Sequence, residues 1–310
     1  MKNIAIITDW NPGLGSGHIQ RMASLADFLN KNNICRARII TARALPFTGT
    51  SFFPWTAEKI PGNTDLIIRD MRDSTGKEID ALRTVAPVLV IDDNGAGRQK
   101  ADVTIDLLPN PDIEAGSEAY HPESFIYGHS FSSSIAALGD RVFQKDIDLA
   151  VYPGTEPDAQ LIDYYLQLIP EGITAVILGG DKHFLAGGRT LAGQVRKSYG
   201  EIILSSKIVL SHFGITLYEG SAASARLLSL NPSDYHAHLT DLATNLAATN
   251  LGVRDSVDPA AISNIIAHAL KNSPAASVSA REVLDKINAG LENFTRLIFQ
   301  LKKLNSMENK

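Results

Sequence analysis

Five short aliphatic runs, at residues 4–8, 37–41, 66–70, 88–92 and 103–107, constrain the fold of this chain more than any other feature. Most lack the polar alternation of a half-exposed strand. Continuous apolar runs of that length suit a parallel sheet covered on both faces. Between the first two, Ile19, Met22, Leu25, Ala26 and Leu29 fall on one helical stripe, and residues 80–84 offer a shorter helix before the fourth run. This βαβ series predicts a doubly wound domain.

From about residue 109 to 146, proline, glycine and serine become frequent, which reads as a connection. A second series follows: a strand at 147–152, a helix at 158–169 and a strand at 173–178. Beyond a glycine-containing gap come a short helix at 199–205 and a strand at 207–210. Helical patterns are then expected at 217–228, 241–249, 259–271 and 279–304, the last long enough to cross back over another domain. At 310 residues and 44% hydrophobic content the chain can fill two cores. The expected fold is α/β with two doubly wound Rossmann-like domains. They are placed at 1–145 and 146–285, followed by a C-terminal helical segment at 286–310.

A net charge of −5 gives no basic face for nucleic acid, and no apolar run approaches the ~18–20 residues of a membrane span. The N-terminal residues read as a strand rather than a signal peptide. The single cysteine, Cys35, excludes an internal disulfide and a multi-thiolate metal site. A cytoplasmic protein without metal or cofactor is the expectation.

In open parallel sheets, ligands bind beyond the carboxyl ends of the strands. Here those ends are polar: Asp9 after the first run, RDMRD (Arg69 to Asp73) after the third, DDNGAGR (Asp92 to Arg98) after the fourth, and Asn110 after the fifth. Singly these are ordinary turn residues. Their convergence on one edge marks a candidate site. NPGLGSGHIQR, residues 11–21, joins the first strand to the first helix, yet it is not a dinucleotide fingerprint. Gln20 stands where the third glycine of G-x-G-x-x-G belongs, no acidic residue closes the second strand, and there is no G-K-[ST]. What remains is a glycine loop, with Gly13, Gly15 and Gly17, feeding a helix whose first turn holds His18. Unpaired N–H groups and the positive helix end favour an anion there and a neutral, proton-accepting imidazole. His18 equally reads as a helix cap.

The second half repeats the theme. In LSHFGITLYEG, residues 210–220, Gly214 and Thr216 open a helix, with Thr216 a candidate cap and phosphate ligand. Glu219 is placed either to accept bonds from a ribose diol or to support the helix dipole. YPGTEPD, residues 152–158, and the glycine pair Gly179–Gly180 are further strand-to-turn motifs, together suited to a nucleoside diphosphate.

These residues resemble the nucleotide-sugar hydrolases of pseudaminic acid biosynthesis and related proteins of spore-coat and surface-polysaccharide operons. GSGHIQR is similar to the family's G-x-G-H-x-x-R, and VLVIDDNGAGRQKADVTIDLLPNP is like its second segment. YPGTEPD resembles its G-G-T-D turn, and SHFGITLYE its S-x-x-[ST]-x-x-E segment. The resemblance runs from Met1 to about Leu270. It implies a glycosyltransferase-B arrangement of two domains and inverting hydrolysis of a UDP-linked amino-deoxy sugar. His18 would be the general base, and Gly154, Thr155, Ser211, Gly214, Thr216 and Glu219 would hold the nucleotide. Gly15, Gly17, Arg21, Asp70, Arg72, Asp93 and Asn94 would line the sugar side. Pro153 departs from the family's first glycine, and His212 and Phe213 replace small residues. The stretch from Gly180 to Tyr199 leaves no room for the usual extra helix and strand, so the second domain is shortened. The same base would serve an inverting glycosyltransferase with a hydroxyl acceptor, and a shortened domain would also suit a non-catalytic nucleotide-sugar-binding relative.

Overall fold

The computed structural model describes residues 1–10, 15–41, 56–57, 59–111, 119–179, 182–187, 190–272 and 277–300. Gly13 and Gly180 lie outside them, as do residues 301–304 of the last expected helix. Two compact units are present: Met1–His129 with Ile287–Lys310, and Ser130–Lys286. The division expected at 145/146 therefore falls inside the second unit.

The first unit is built on β1 (Asn3–Thr8), α1 (Gly17–Lys31), β2 (Arg36–Ile40), β3 (Thr56–Ala57), β4 (Leu66–Asp70), α2 (Gly76–Arg83), β5 (Val88–Ile91) and β6 (Val103–Ile105). Its sheet runs β3-β2-β1-β4-β5-β6 with every pairing parallel. This is the doubly wound order, which reverses between β1 and β4. β4 and β5 are buried along their whole length, including the charged Arg69 and Asp70 that end β4. The α1 stripe expected from sequence is buried: Ile19, Met22, Leu25, Ala26 and Leu29 are all inaccessible.

The connection expected at 109–146 contains a helix, α3 (His129–Leu138), and a short strand, β7 (Val142–Phe143). Serine-rich SFSSSIAAL reads as a linker, but Phe131 and Ile135, one turn apart, are both fully buried. The Ser134 hydroxyl donates back to the Ser130 carbonyl at 2.7 Å, so it does not compete with the helix from outside. Helix packing here overrides weak propensity.

The second unit continues with β8 (Ile147–Tyr152), α4 (Ala159–Gln167), β9 (Ala175–Gly179), β10 (Lys182–Gly187), β11 (Thr190–Val195), α5 (Tyr199–Ser205), β12 (Ser206–Ser211), α6 (Ile215–Ala222), β13 (Arg226–Asn231), α7 (Asp234–Leu242), β14 (Thr249–Val253), α8 (Pro259–Lys271), β15 (Val278–Ser279) and α9 (Ala280–Gln300), whose residues from Ile287 on count with the first unit. The sheet order is β11-β10-β9-β8-β12-β13-β14. It is parallel from β9 to β14 and antiparallel at β10 and β11. The shortness of the stretch after β9 explains this edge. A parallel return needs a crossover of a dozen or more residues, whereas a tight connection can only reverse the strand.

Two expected helices are corrected. The one at 217–228 ends at Ala222, where Ser224 turns into the left-handed region (φ +55°) and Ala225 N–H donates to the Gly220 carbonyl at 2.9 Å. RLLSLN then forms β13, a buried strand whose leucines carry no β signature. The helix at 241–249 is likewise displaced: α7 ends at Leu242, and a short turn leads into β14. Among the described residues no helix is long and apolar enough to cross a membrane.

Candidate functional site

In the first unit the connection from β1 and the end of β4 meet at the strand-order reversal, and there His18 and Asp70 come together. Gly15 has φ +79°, a conformation that favours glycine, and Ser16 precedes α1 without a side-chain cap bond. The next turn places His18 with one fifth of its side chain exposed, and Nδ1 lies 2.8 Å from Asp70 Oδ1. Arg21, one turn further along α1, is wholly buried and forks Asp70: Nε to Oδ2 at 2.6 Å and Nη2 to Oδ1 at 2.5 Å. Its third nitrogen, Nη1, lies 2.6 Å from Asp92 Oδ2.

Burial alone would push the Asp70 carboxyl up, but the charges of Arg21 and His18 outweigh it and hold it at about 2. An ionised carboxylate cannot donate, so the proton between His18 and Asp70 belongs to Nδ1. The Arg21 Nη2 contact with Nδ1 at 3.4 Å is then a neighbouring approach and not a bond, because both groups are donors. In the neutral imidazole, Nε2 is left with its lone pair, the tautomer a proton-accepting histidine needs. A cap bond from His18 is not made.

The other expected sugar-side residues divide. Gly15, Gly17, Arg21 and Asp70 gather at this site. Arg72 and Asn94 are exposed beyond β4 and β5, and Asn94 accepts from the Asn110 side-chain amide. Asp93 is fully buried, and its carboxylate is taken up by protein groups. Its Oδ1 accepts from Ser74 N–H at 2.9 Å and Gly95 N–H at 2.8 Å, while Oδ2 lies 3.3 Å from Arg69 Nη1. Arg69 also reaches Glu78 and the Met71 and Arg72 carbonyls. That cluster ties two loops together. Gly95 is needed for the contact, since a Cβ there would stand 2.2 Å from the Ser74 carbonyl oxygen. Asp92, absent from the expected set, is the residue that joins Arg21.

In the second unit the strand order reverses between β8 and β12, and the expected nucleotide residues follow those two strands. Gly154 lies in open space after β8, and the Thr155 and Tyr152 hydroxyls are 3.1 Å apart. Asp158 caps α4 by accepting from Leu161 N–H at 2.8 Å. Ser211 ends β12 with its hydroxyl buried and without a partner, and α6 opens after Gly214 with no side-chain cap. Thr216 is corrected from cap to interior residue: its hydroxyl lies 3.2 Å from that of Tyr199. Glu219 is buried, and its Oε2 accepts from the Tyr199 hydroxyl at 2.5 Å. Burial, with the Glu219 charge beside it, raises the Tyr199 phenol well above its ordinary range, so it stays a donor. Phe213 N–H donates to buried Asn231 Oδ1 at 2.9 Å, which anchors the loop between β12 and α6 to the end of β13.

No family model and no curated protein matches the sequence. Solved structures do match over nearly the whole chain. The MnaA–UDP co-structure from S. aureus shares 10% identity over 98% of both chains, with a TM-score of 0.56. The glycotransferase of kitacinnamycin shares 11% identity over 96% of this chain and 98% of its own, with a TM-score of 0.54. UDP-GlcNAc 2-epimerase from Neisseria meningitidis, bound to UDP-GlcNAc, shares 11% identity over 99% of this chain and all of its own, with a TM-score of 0.51. At these identities the likeness shows the fold alone: α/β, with two Rossmann-like units of the glycosyltransferase-B class.

Proposed function

We propose that the protein is a nucleotide-sugar hydrolase, acting on a UDP-linked amino-deoxy sugar in surface-glycan biosynthesis with inversion at the anomeric carbon. The observation that carries this reading is the His18–Asp70 pair at the strand-order reversal of the first unit, with Nδ1 committed to Asp70 and Nε2 left to act. His18 Nε2 takes a proton from water as the water oxygen bonds to the anomeric carbon. The bond from that carbon to the diphosphate oxygen breaks, its electron pair leaves with UDP, and the configuration inverts. Asp70 then faces an imidazolium, and the ion pair stabilises the charge that forms.

The nucleotide assignment is supported by the second unit's own geometry. The uncapped start of α6 offers backbone N–H groups to a diphosphate. The unpartnered Ser211 hydroxyl stands at the end of the adjoining strand, and Glu219 lies one turn into the helix. Solved structures of the same fold carry UDP and UDP-GlcNAc, in keeping with this nucleotide.

The test pairs binding with turnover. Wild-type protein is expected to be stabilised by UDP in a thermal-shift screen against GDP, CMP and TDP, and to release UDP from UDP-amino sugars. His18→Ala is expected to abolish release while leaving UDP affinity within about three-fold, since the base acts on water and not on the nucleotide. An unchanged rate removes His18 from the mechanism. Stabilisation by UDP with sugar transfer to an added hydroxyl compound, and none to water, would assign a glycosyltransferase instead.

A further inference from the structure

Asp92 follows β5 directly and has φ +50°, a left-handed backbone that few residues other than glycine, asparagine and aspartate adopt. That turn lets Oδ1 accept from Leu107 N–H at 2.8 Å and Leu108 N–H at 3.0 Å, and it sets Oδ2 against Arg21 Nη1. One buried guanidinium therefore serves two carboxylates: Asp70 through a fork and Asp92 through its remaining nitrogen.

A count of charges shows what the second carboxylate does. With His18 neutral, the set of His18, Arg21, Asp70 and Asp92 carries one net negative charge. A proton on His18 brings it to zero. Without Asp92, the same proton would take the set from zero to plus one inside the protein, where water screens poorly. We propose that Asp92 is a positioning residue for the His18 base: it holds Arg21 in place and supplies the negative charge that proton uptake by His18 neutralises.

The inference rests on His18 acting as a base. The charged and titratable groups around Asp92 are Arg21 and His18 on α1, Asp70 on β4, Arg98 after β5, Asp106 after β6, and Tyr120. Arg98 is forked by Asp106 at 2.7 Å on both arms, so that pair is balanced within itself. Burial raises the Asp92 carboxyl against the pull of Arg21, with Asp70 and Asp106 adding to the rise. Acidification therefore neutralises Asp92 before Asp70.

The test reads His18 directly and needs no turnover. Diethyl pyrocarbonate attacks neutral imidazole, so the rate of His18 carbethoxylation at pH 6 relative to pH 8, followed by peptide mass mapping, reports how readily His18 takes a proton. Asp92→Asn is expected to raise that ratio about three-fold or more. Asp92→Ser, which keeps a hydroxyl for the Leu107 and Leu108 amides, gives the same readout should the asparagine variant not fold. Asp92→Glu, which keeps the charge, is expected to return the ratio toward wild type. A ratio unchanged in a folded neutral variant overturns the proposal. If the wild type turns over no nucleotide sugar, the functional reading fails while this ratio still decides the role of Asp92.

Discussion

Asp70→Asn removes a charge and little else, because the amide has nearly the shape of the protonated acid. Asp70 is held at about 2 in the folded protein against an ordinary value of 3.8. Ionised Asp70 therefore contributes about 2 kcal/mol that the asparagine cannot supply. The sign follows from the depressed value. The contribution is complete above about pH 4, falls as the pH drops toward 2, and is gone below it. Urea unfolding of both proteins at pH 7 is expected to differ by that amount, and the difference is expected to close by pH 2. Activity is expected to fall further than stability. Asparagine is a poorer acceptor for the Nδ1 proton and gives no ion pair to the imidazolium, so UDP release drops about 10²-fold or more. A folded variant with a rate within three-fold of wild type would refute the pairing of His18 with Asp70 as a functional unit. Equal stabilities at pH 7 would refute the charge argument independently.

Two further outcomes follow from the geometry. Glu219→Ala is expected to weaken UDP binding by about 1.5–3 kcal/mol in calorimetry, the scale of a lost hydrogen bond to a charged group; an unchanged affinity would assign Glu219 to holding Tyr199 alone. Gly95→Ala forces a methyl group to 2.2 Å from the Ser74 carbonyl and is expected to destabilise by about 1–3 kcal/mol in thermal or urea unfolding.

Much of this was legible in the residues. Buried parallel strands announce themselves as short, mostly aliphatic runs, and β4 and β8 occur with the expected bounds. β13 escaped because a leucine-rich buried strand carries neither alternation nor β-branching, so its pattern is indistinguishable from a helix. The hairpin β10–β11 escaped because its residues are mostly exposed and carry little apolar signal. At the site, His18 and Arg21 were visible as the mouth of a glycine loop, and Asp70 as a polar strand end. Their pairing spans 52 residues and depends on β1 lying beside β4, which the sequence does not state. Of the Asp92–Asp93 doublet, Asp92 meets Arg21, while Asp93 meets Arg69 and the Ser74 and Gly95 amides. Neighbouring residues at a strand end point to opposite sides, and only the left-handed turn at Asp92 decides which one meets Arg21. Thr216 reads as a cap in the sequence, but α6 begins two residues earlier than a threonine cap there requires.

Proton NMR of the wild-type protein with a UDP-amino-deoxy sugar, run in ¹⁸O-labelled water, tests the proposed chemistry most directly. Attack by water at the anomeric carbon predicts that the first sugar to appear is the anomer opposite to the donor, and that the UDP released beside it carries no label. Label in the diphosphate, or a first product that keeps the donor's configuration, would contradict inverting hydrolysis by a His18 base.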